Sequence, residues 1–227
     1  MATAKTLSTK AATVLLVDDH PMLRRGVAEV INSEDDLQVV GEAGTMQEAF
    51  KLTSELNPDV IVVDVSLDGN NGLELMKQLI FRNAELKMLA YSMHDEHIYA
   101  ERALRAGAKG YLMKQEPPEV LKEAIHTVLK GKIFLSSQMA DRLLGKLVGV
   151  GAGTTVSASP VESLSDRELE VLHLLGQGMT TSKIADKLCL SVKTVETYRE
   201  HLKQKLHLQS GPELLRYAIE WSLSQAR

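Results

Sequence analysis

Short apolar runs alternate with amphipathic stretches along the first 130 residues, and the alternation predicts the elements. Residues 14–17, 37–43, 59–64, 86–91 and 109–113 are runs of the length and β-branched character that suit strands buried on both faces. Between them, stretches from Pro21, 45–56, 73–81, 96–106 and 117–129 carry apolar residues three and four apart, the spacing of one helix face. Pro21 and Pro118 fall in first turns, and Gly107 and Gly131 follow helix ends. Five strand–helix pairs predict an α/β doubly wound five-stranded parallel sheet.

Right-handed crossovers gather the carboxyl ends of all five strands on one rim, where ligands bind in open sheets. The residues found there are Asp18 and Asp19, Asp64, Ser92 and Lys114, whereas the second strand offers only Glu42. The strand ends come from hydrophobic periodicity alone, so their shared polarity is informative.

After residue 131 the pattern changes. A strand-like piece and a helix at 137–147 lead to 149–163, a small-residue stretch read as a flexible linker. Beyond it all periodicity is helical. Ser165 and Glu168 predict a capping box for a helix at 166–175. A short helix at 181–188 and a turn capped by Ser191 precede a longer helix at 192–206, the order of a helix-turn-helix in a small all-α domain. Ser210 and Glu213 mark a last helix at 213–223. The domains expected are therefore a flexible leader (1–12), an α/β domain (13–131), a connecting helix and linker (132–163), and a helix-turn-helix domain (164–227).

Charge supports two units of different character. Residues 1–162 hold 17 Lys and Arg against 22 Asp and Glu, a net of −5, whereas 163–227 hold 9 against 8, a net of +1. The chain is 44% hydrophobic and 25% charged, ordinary for a globular protein. The single cysteine, Cys189, excludes an internal disulfide, suits a cytoplasmic location, and between Leu188 and Leu190 reads as a buried structural thiol. No run reaches the ~18 apolar residues of a membrane span. The first twelve residues contain no acid, and the short run after them does not make a signal-peptide core.

The rim carries the chemistry. Asp18, Asp19 and Asp64 are hard oxygen ligands of the kind Mg²⁺ prefers, Lys114 is a point charge for an anion, and Ser92 is a hydroxyl donor. A carboxylate nucleophile with these partners can accept a phosphoryl group as an acyl phosphate. No GxxxxGK[ST] is present, so a bound nucleotide is not the expected donor. His94 and His97, flanking Asp95 and Glu96, fall at a helix start and read as end-capping polar residues rather than a transition-metal site.

These residues carry a family resemblance. Val17-Asp18-Asp19-His20-Pro21, Asp64 with Gly72 eight residues on, Ser92, and Lys109-Gly110-Tyr111-Leu112-Met113-Lys114 resemble the receiver domain of two-component response regulators. The resemblance implies that Asp64 is the phosphoacceptor and that Asp19, Asp64 and the backbone carbonyl of Ser66 hold Mg²⁺, with Asp18 helping through water. It implies that Ser92 and Lys114 grip the phosphoryl oxygens, that Tyr111 is an aromatic switch, and that a sensor histidine kinase is the donor. Leu67 and Asp68 stand where relatives often carry Met-Pro, and Gln115 stands where many carry proline.

The C-terminal part resembles LuxR/FixJ-type (NarL-like) DNA-binding domains. Leu164-Ser165-Asp166-Arg167-Glu168, Ile184-Ala185 and 191–198 (SVKTVETY) are the matching residues. On the helix at 192–206, Val195, Tyr198 and Leu202 are expected inside. Lys193, Thr194, Glu196, Thr197, Arg199 and Lys203 are expected to meet double-stranded DNA, with Glu196 accepting from a cytosine amino group. From 193 to 205 there are Lys193, Arg199, Lys203 and Lys205 against Glu196 and Glu200, a net of +2. So small a charge implies few phosphate contacts per monomer and favours a homodimer on DNA, with Leu214, Ala218 and Trp221 as the pairing surface.

The resulting expectation is a DNA-binding response regulator, an enzyme only in its own phosphorylation and dephosphorylation. Two other readings compete. One is a hydrolase with an Asp nucleophile, which would want an acid where Ser66 stands. The other is a receiver-like interaction module that works without phosphorylation.

Overall fold

The structure is a computed structural model that describes residues 11–67, 70–148 and 160–225. The chain forms two compact units, one of residues 1–96 with 103–139 and one of residues 97–102 with 140–227.

In the first, β1 (Ala12–Val17), α1 (Pro21–Asn32), β2 (Leu37–Ala43), α2 (Met46–Leu56) and β3 (Val60–Val63) follow in order. Two two-residue strands, β4 (Ser66–Leu67) and β5 (Asn70–Asn71), precede α3 (Gly72–Arg82), β6 (Met88–Ser92), α4 (Glu96–Arg105), β7 (Gly110–Met113) and α5 (Pro118–Leu129). The parallel strands lie in the order β2-β1-β3-β6-β7, as expected of a doubly wound sheet. β3 sits at the centre and all four of its residues are buried, because helices cover both faces. Alternation divides the neighbouring strand: Val14 and Leu16 pack with Val27, Ile31, Leu121, Ile125 and Val128 in one core layer.

Residues 66–67 and 70–71, where the sequence pattern marks no strand, form the β4–β5 hairpin. Its signal was present in the Asp68-Gly69 dipeptide, a pair favoured between hairpin strands. Asp68 itself lies outside the described residues. β1 also begins earlier than expected, at Ala12, because its amide donates to the Asp36 carbonyl at 2.7 Å. Phe134 supplies the strand-like piece, making an isolated parallel bridge to Gly110. The helix α6 (Ser137–Val148) follows.

Of the segment expected as a linker, 149–159 lie outside the described residues. Pro160–Ser163 instead forms one 3-10 turn, with Val161 fully buried and the Ser163 hydroxyl donating to the Pro160 carbonyl at 2.7 Å.

The second unit contains α7 (Asp166–Gly176), α8 (Thr181–Lys187), α9 (Val192–Lys205) and α10 (Gly211–Gln225). The capping box at Ser165 is complete: the Ser165 amide donates to Glu168 Oε2 at 2.7 Å, and the Glu168 amide to Ser165 Oγ at 3.3 Å. α10 starts two residues earlier than expected, since Ser210 is its cap and Pro212 lies inside its first turn. α7 and α10 cross closely at Gly176, where a Cβ would stand 2.5 Å from the Ala218 carbonyl oxygen.

Two expectations fail here. Cys189 is exposed, not buried. It follows the end of α8 in the left-handed region (φ 52°), and that turn aims its side chain outward while Leu188 stays inside. Leu214, Ala218 and Trp221 are not a pairing surface either, because they are 1%, 0% and 9% exposed. Among the described residues no helix is long and apolar enough to cross a membrane.

Candidate functional site

β3 ends at Asp64 with β1 on one side and β6 on the other, so neighbouring strand ends bring Asp18, Asp19 and Ser92 to the same rim. Lys114 starts farther away, at the end of β7, roughly two strand spacings (about 10 Å) from the centre. Its four-carbon stem covers that distance. The ammonium donates to Asp18 Oδ2 at 2.6 Å and to Asp64 Oδ2 at 2.7 Å, and the side chain is only 2% exposed.

The remaining carboxylate oxygens are also committed. Asp64 Oδ1 accepts from the Ser66 amide at 3.0 Å, and Asp18 Oδ1 from the His20 amide at 2.7 Å. Burial pushes the Asp64 carboxyl up to about 6, against the pull of Lys114 and the Ser66 amide. Burial alone would lower Lys114, but Asp64 and Asp18 more than offset it and hold the ammonium above its ordinary value.

Asp19 differs. Its Oδ1 is buried and makes no hydrogen bond, although His20 Nδ1 stands 2.8 Å away. One ligand atom each from Asp18, Asp19, His20 and Asp64 lies within 4.8 Å of all the others. An orphaned carboxylate oxygen among hard donors fits a divalent cation such as Mg²⁺.

Other elements hold this geometry. At Gly72 a Cβ would be 2.0 Å from the Asp64 carbonyl oxygen, so only glycine lets α3 begin this close to the end of β3. Asn71 caps α3 by accepting from the Leu73 amide. Arg24, a residue the sequence reading passed over, donates to the Asp18 carbonyl and, at 3.0 Å, to Glu42 on β2. His94, expected only as a capping residue, braces the rim from the other side. Its ring nitrogen lies 2.6 Å from the Ser66 hydroxyl, its amide donates to Ser92 Oγ at 3.2 Å, and its carbonyl accepts from the Tyr111 hydroxyl at 2.7 Å. Tyr111 is 1% exposed, hence turned inward, and Ser92 is fully buried.

The second site is α9. Val195 and Leu202 are fully buried and Tyr198 is half-buried, as the spacing predicts. The structure sorts the six expected DNA contacts by how far each is occupied within the protein. The Thr194 hydroxyl pairs with Ser191 at 2.7 Å, that of Thr197 turns back to the Lys193 carbonyl at 3.1 Å, and Arg199 donates to the Thr181 hydroxyl on α8. Lys203 pairs with Glu200 at 2.9 Å. Lys193 and Glu196 are exposed and make no side-chain bond among the described residues.

Comparison with known proteins agrees with both halves. Residues 14–126 match the response regulator receiver domain, and residues 162–218 match the bacterial regulatory proteins of the luxR family. The chain is 36% identical to the oxygen regulatory protein NreC of Staphylococcus carnosus, over 92% of this chain and 98% of that relative. This chain belongs to the two-component response regulators with a LuxR-type DNA-binding domain. Among solved structures, a LuxR-family response regulator from Aurantimonas is 33% identical, with a TM-score of 0.57 over 61% of this chain and 99% of that one. RcsB from Salmonella enterica serovar Typhimurium, solved on promoter rprA with a phosphomimetic, is 25% identical, with a TM-score of 0.66 over 92% of this chain and 98% of that one. The protein is a DNA-binding response regulator, and its receiver implies a sensor kinase partner.

Proposed function

We propose that the regulator accepts a phosphoryl group on Asp64 from a sensor histidine kinase and thereby controls its pairing on DNA. The observation that carries this reading is the Lys114 bridge between Asp18 and Asp64 beside the orphaned Asp19 oxygen. Asp64 attacks the phosphorus of a phosphohistidine, the P–N bond breaks with its electrons going to the imidazole, and an acyl phosphate forms on the Asp64 carboxylate. Mg²⁺, when bound by Asp18, Asp19, Asp64 and the Ser66 carbonyl, supplies charge neutralisation for the phosphoryl oxygens. Lys114 exchanges its carboxylate partners for a phosphoryl oxygen, Ser92 donates its hydroxyl proton to another, and Tyr111 reports the change.

On the output side, Lys193 meets phosphates and Glu196 accepts from a cytosine amino group. Thr194, Thr197, Arg199 and Lys203 complete the contact face after releasing their internal partners. The pairing face we assign to a second copy is the other apolar stripe of α10, Leu215, Ile219 and Leu223, which are 41%, 39% and 64% exposed. RcsB on its promoter in the presence of a phosphomimetic supports the coupling of phosphorylation to DNA. A kinase partner and a DNA target put this chain's work in the cytoplasm.

The test is labelling of the purified full chain by acetyl phosphate with Mg²⁺. Wild type should take up one phosphoryl group per chain, and Asp64→Asn none. Equal labelling of the variant would overturn the choice of acceptor. A wild type that takes no label yet binds DNA would favour regulation without phosphorylation.

A further inference from the structure

Three hydrogen bonds converge on His94 and connect parts of the receiver that are far apart in sequence. The imidazole meets Ser66, two residues beyond the acceptor, at 2.6 Å. The amide reaches Ser92 Oγ at 3.2 Å, and the carbonyl receives the Tyr111 hydroxyl at 2.7 Å. We propose that His94 is a positioning residue of the switch: its clasp on Ser66 holds Tyr111 inward before any phosphoryl group arrives. This deepens the reading above and rests on Tyr111 being the switch.

The argument runs through the tyrosine hydroxyl. A tyrosine as buried as Tyr111 is stable inward only where its hydroxyl finds a partner. Its partner is a backbone carbonyl, and the position of that carbonyl depends on how the segment after β6 is held. One anchor of the segment is Ser92, which is buried and belongs to the strand. Another is the imidazole on Ser66, at the exposed start of the β4–β5 hairpin. With both in place the carbonyl faces Tyr111. Without the Ser66 anchor, the segment can swing and take the carbonyl with it.

The clasp also suits phosphoryl binding. Ser92 Oγ uses a lone pair on the His94 amide, so its own proton stays available for an incoming oxygen. A chain with this clasp has its switch partly set in advance. Phosphorylation then adds to a bias rather than creating one.

The experiment uses the full chain labelled with 3-fluorotyrosine, its Tyr111 fluorine resonance assigned by loss in Tyr111→Phe. Without phosphodonor, His94→Ala and Ser66→Ala should each shift the population of inward Tyr111 about fivefold toward outward, the worth of one ordinary hydrogen bond. His94→Gln, whose amide can still bond Ser66, should restore the wild-type signal. The double variant should equal either single one, since both remove the same contact. Affinity for a duplex selected by this protein from a random pool should fall by a similar factor without acetyl phosphate and recover with it. An unchanged Tyr111 signal in His94→Ala overturns the clasp. A Tyr111 that moves while DNA affinity does not overturns the link to output, and with it the switch reading itself.

Discussion

The receiver rim and helix α9 are the two candidate functional sites, and they are built in opposite ways. The rim exists only when four strand ends, from residues 18 to 114, are brought together by the fold, and its charges are mostly spent on one another. The helix α9 carries its candidate contacts on one face of a single element, with Lys193 and Glu196 left open to solvent. The difference teaches where each is fragile. A backbone change far from the chemistry can destroy the rim, whereas the helix loses function side chain by side chain.

The most damaging change we expect on the rim is Gly72→Ala. A Cβ placed 2.0 Å from the Asp64 carbonyl must push α3 away from β3. That should destabilise the receiver by about 3 kcal/mol and abolish acetyl-phosphate labelling. In denaturant the transition of the α/β unit should move to lower concentration while that of the helical unit stays; joint movement would contradict the division.

The two stripes of α10 give a comparable effect that separates folding from pairing. Leu214→Ala should cost the helical unit about 3 kcal/mol of stability, because Leu214 is 1% exposed. Ile219→Glu should leave stability within about 0.5 kcal/mol and instead remove dimers on DNA, read by sedimentation of the complex. If Ile219→Glu complexes remain dimeric, the pairing face is elsewhere.

Next comes the charge of Asp64. Its pKa rises from 3.8 to about 6 on folding, so between those values the folded chain binds more protons than the unfolded one. Stability from this group therefore falls as pH rises from about 4 to about 6 and stays lower above, by on the order of 2–3 kcal/mol. Asp64→Asn should accordingly raise the thermal midpoint at pH 7.5 without divalent ions, and Mg²⁺ should narrow the gap by stabilising the wild-type carboxylate. A lower midpoint for the variant would show that Lys114 needs Asp64 more than burial opposes it.

The smallest effect is on the helical unit. Cys189 holds φ 52°, a region that glycine enters without steric cost. Cys189→Gly should stabilise that unit by up to about 1 kcal/mol, as measured by its unfolding midpoint, with labelling unchanged.

How far the sequence showed these sites follows from the same contrast. Strand ends are legible because a buried strand must stop where its side chains turn polar, which is why Asp64, Ser92 and Lys114 could be found in advance. What could not be read was which atoms they would spend on one another, or that Arg24 and His94 would brace the rim, since those bonds depend on loop paths. On α10, residues 214, 218 and 221 and residues 215, 219 and 223 form two apolar stripes of nearly equal quality. Periodicity shows that a stripe exists, not which one faces the core, and the stripe expected at the surface is the buried one. Cys189 misled for a related reason: its leucine neighbours announce burial, but a left-handed turn sends successive side chains in different directions.

The central claim is that chemistry at Asp64 governs what α9 does. The most direct measurement is the affinity of the full chain for a selected duplex, with and without acetyl phosphate and Mg²⁺, for wild type and Asp64→Asn. The account predicts tighter binding on phosphorylation for wild type and no change for the variant. Equal responses in the two proteins, or no response in wild type that has taken up its label, would contradict it.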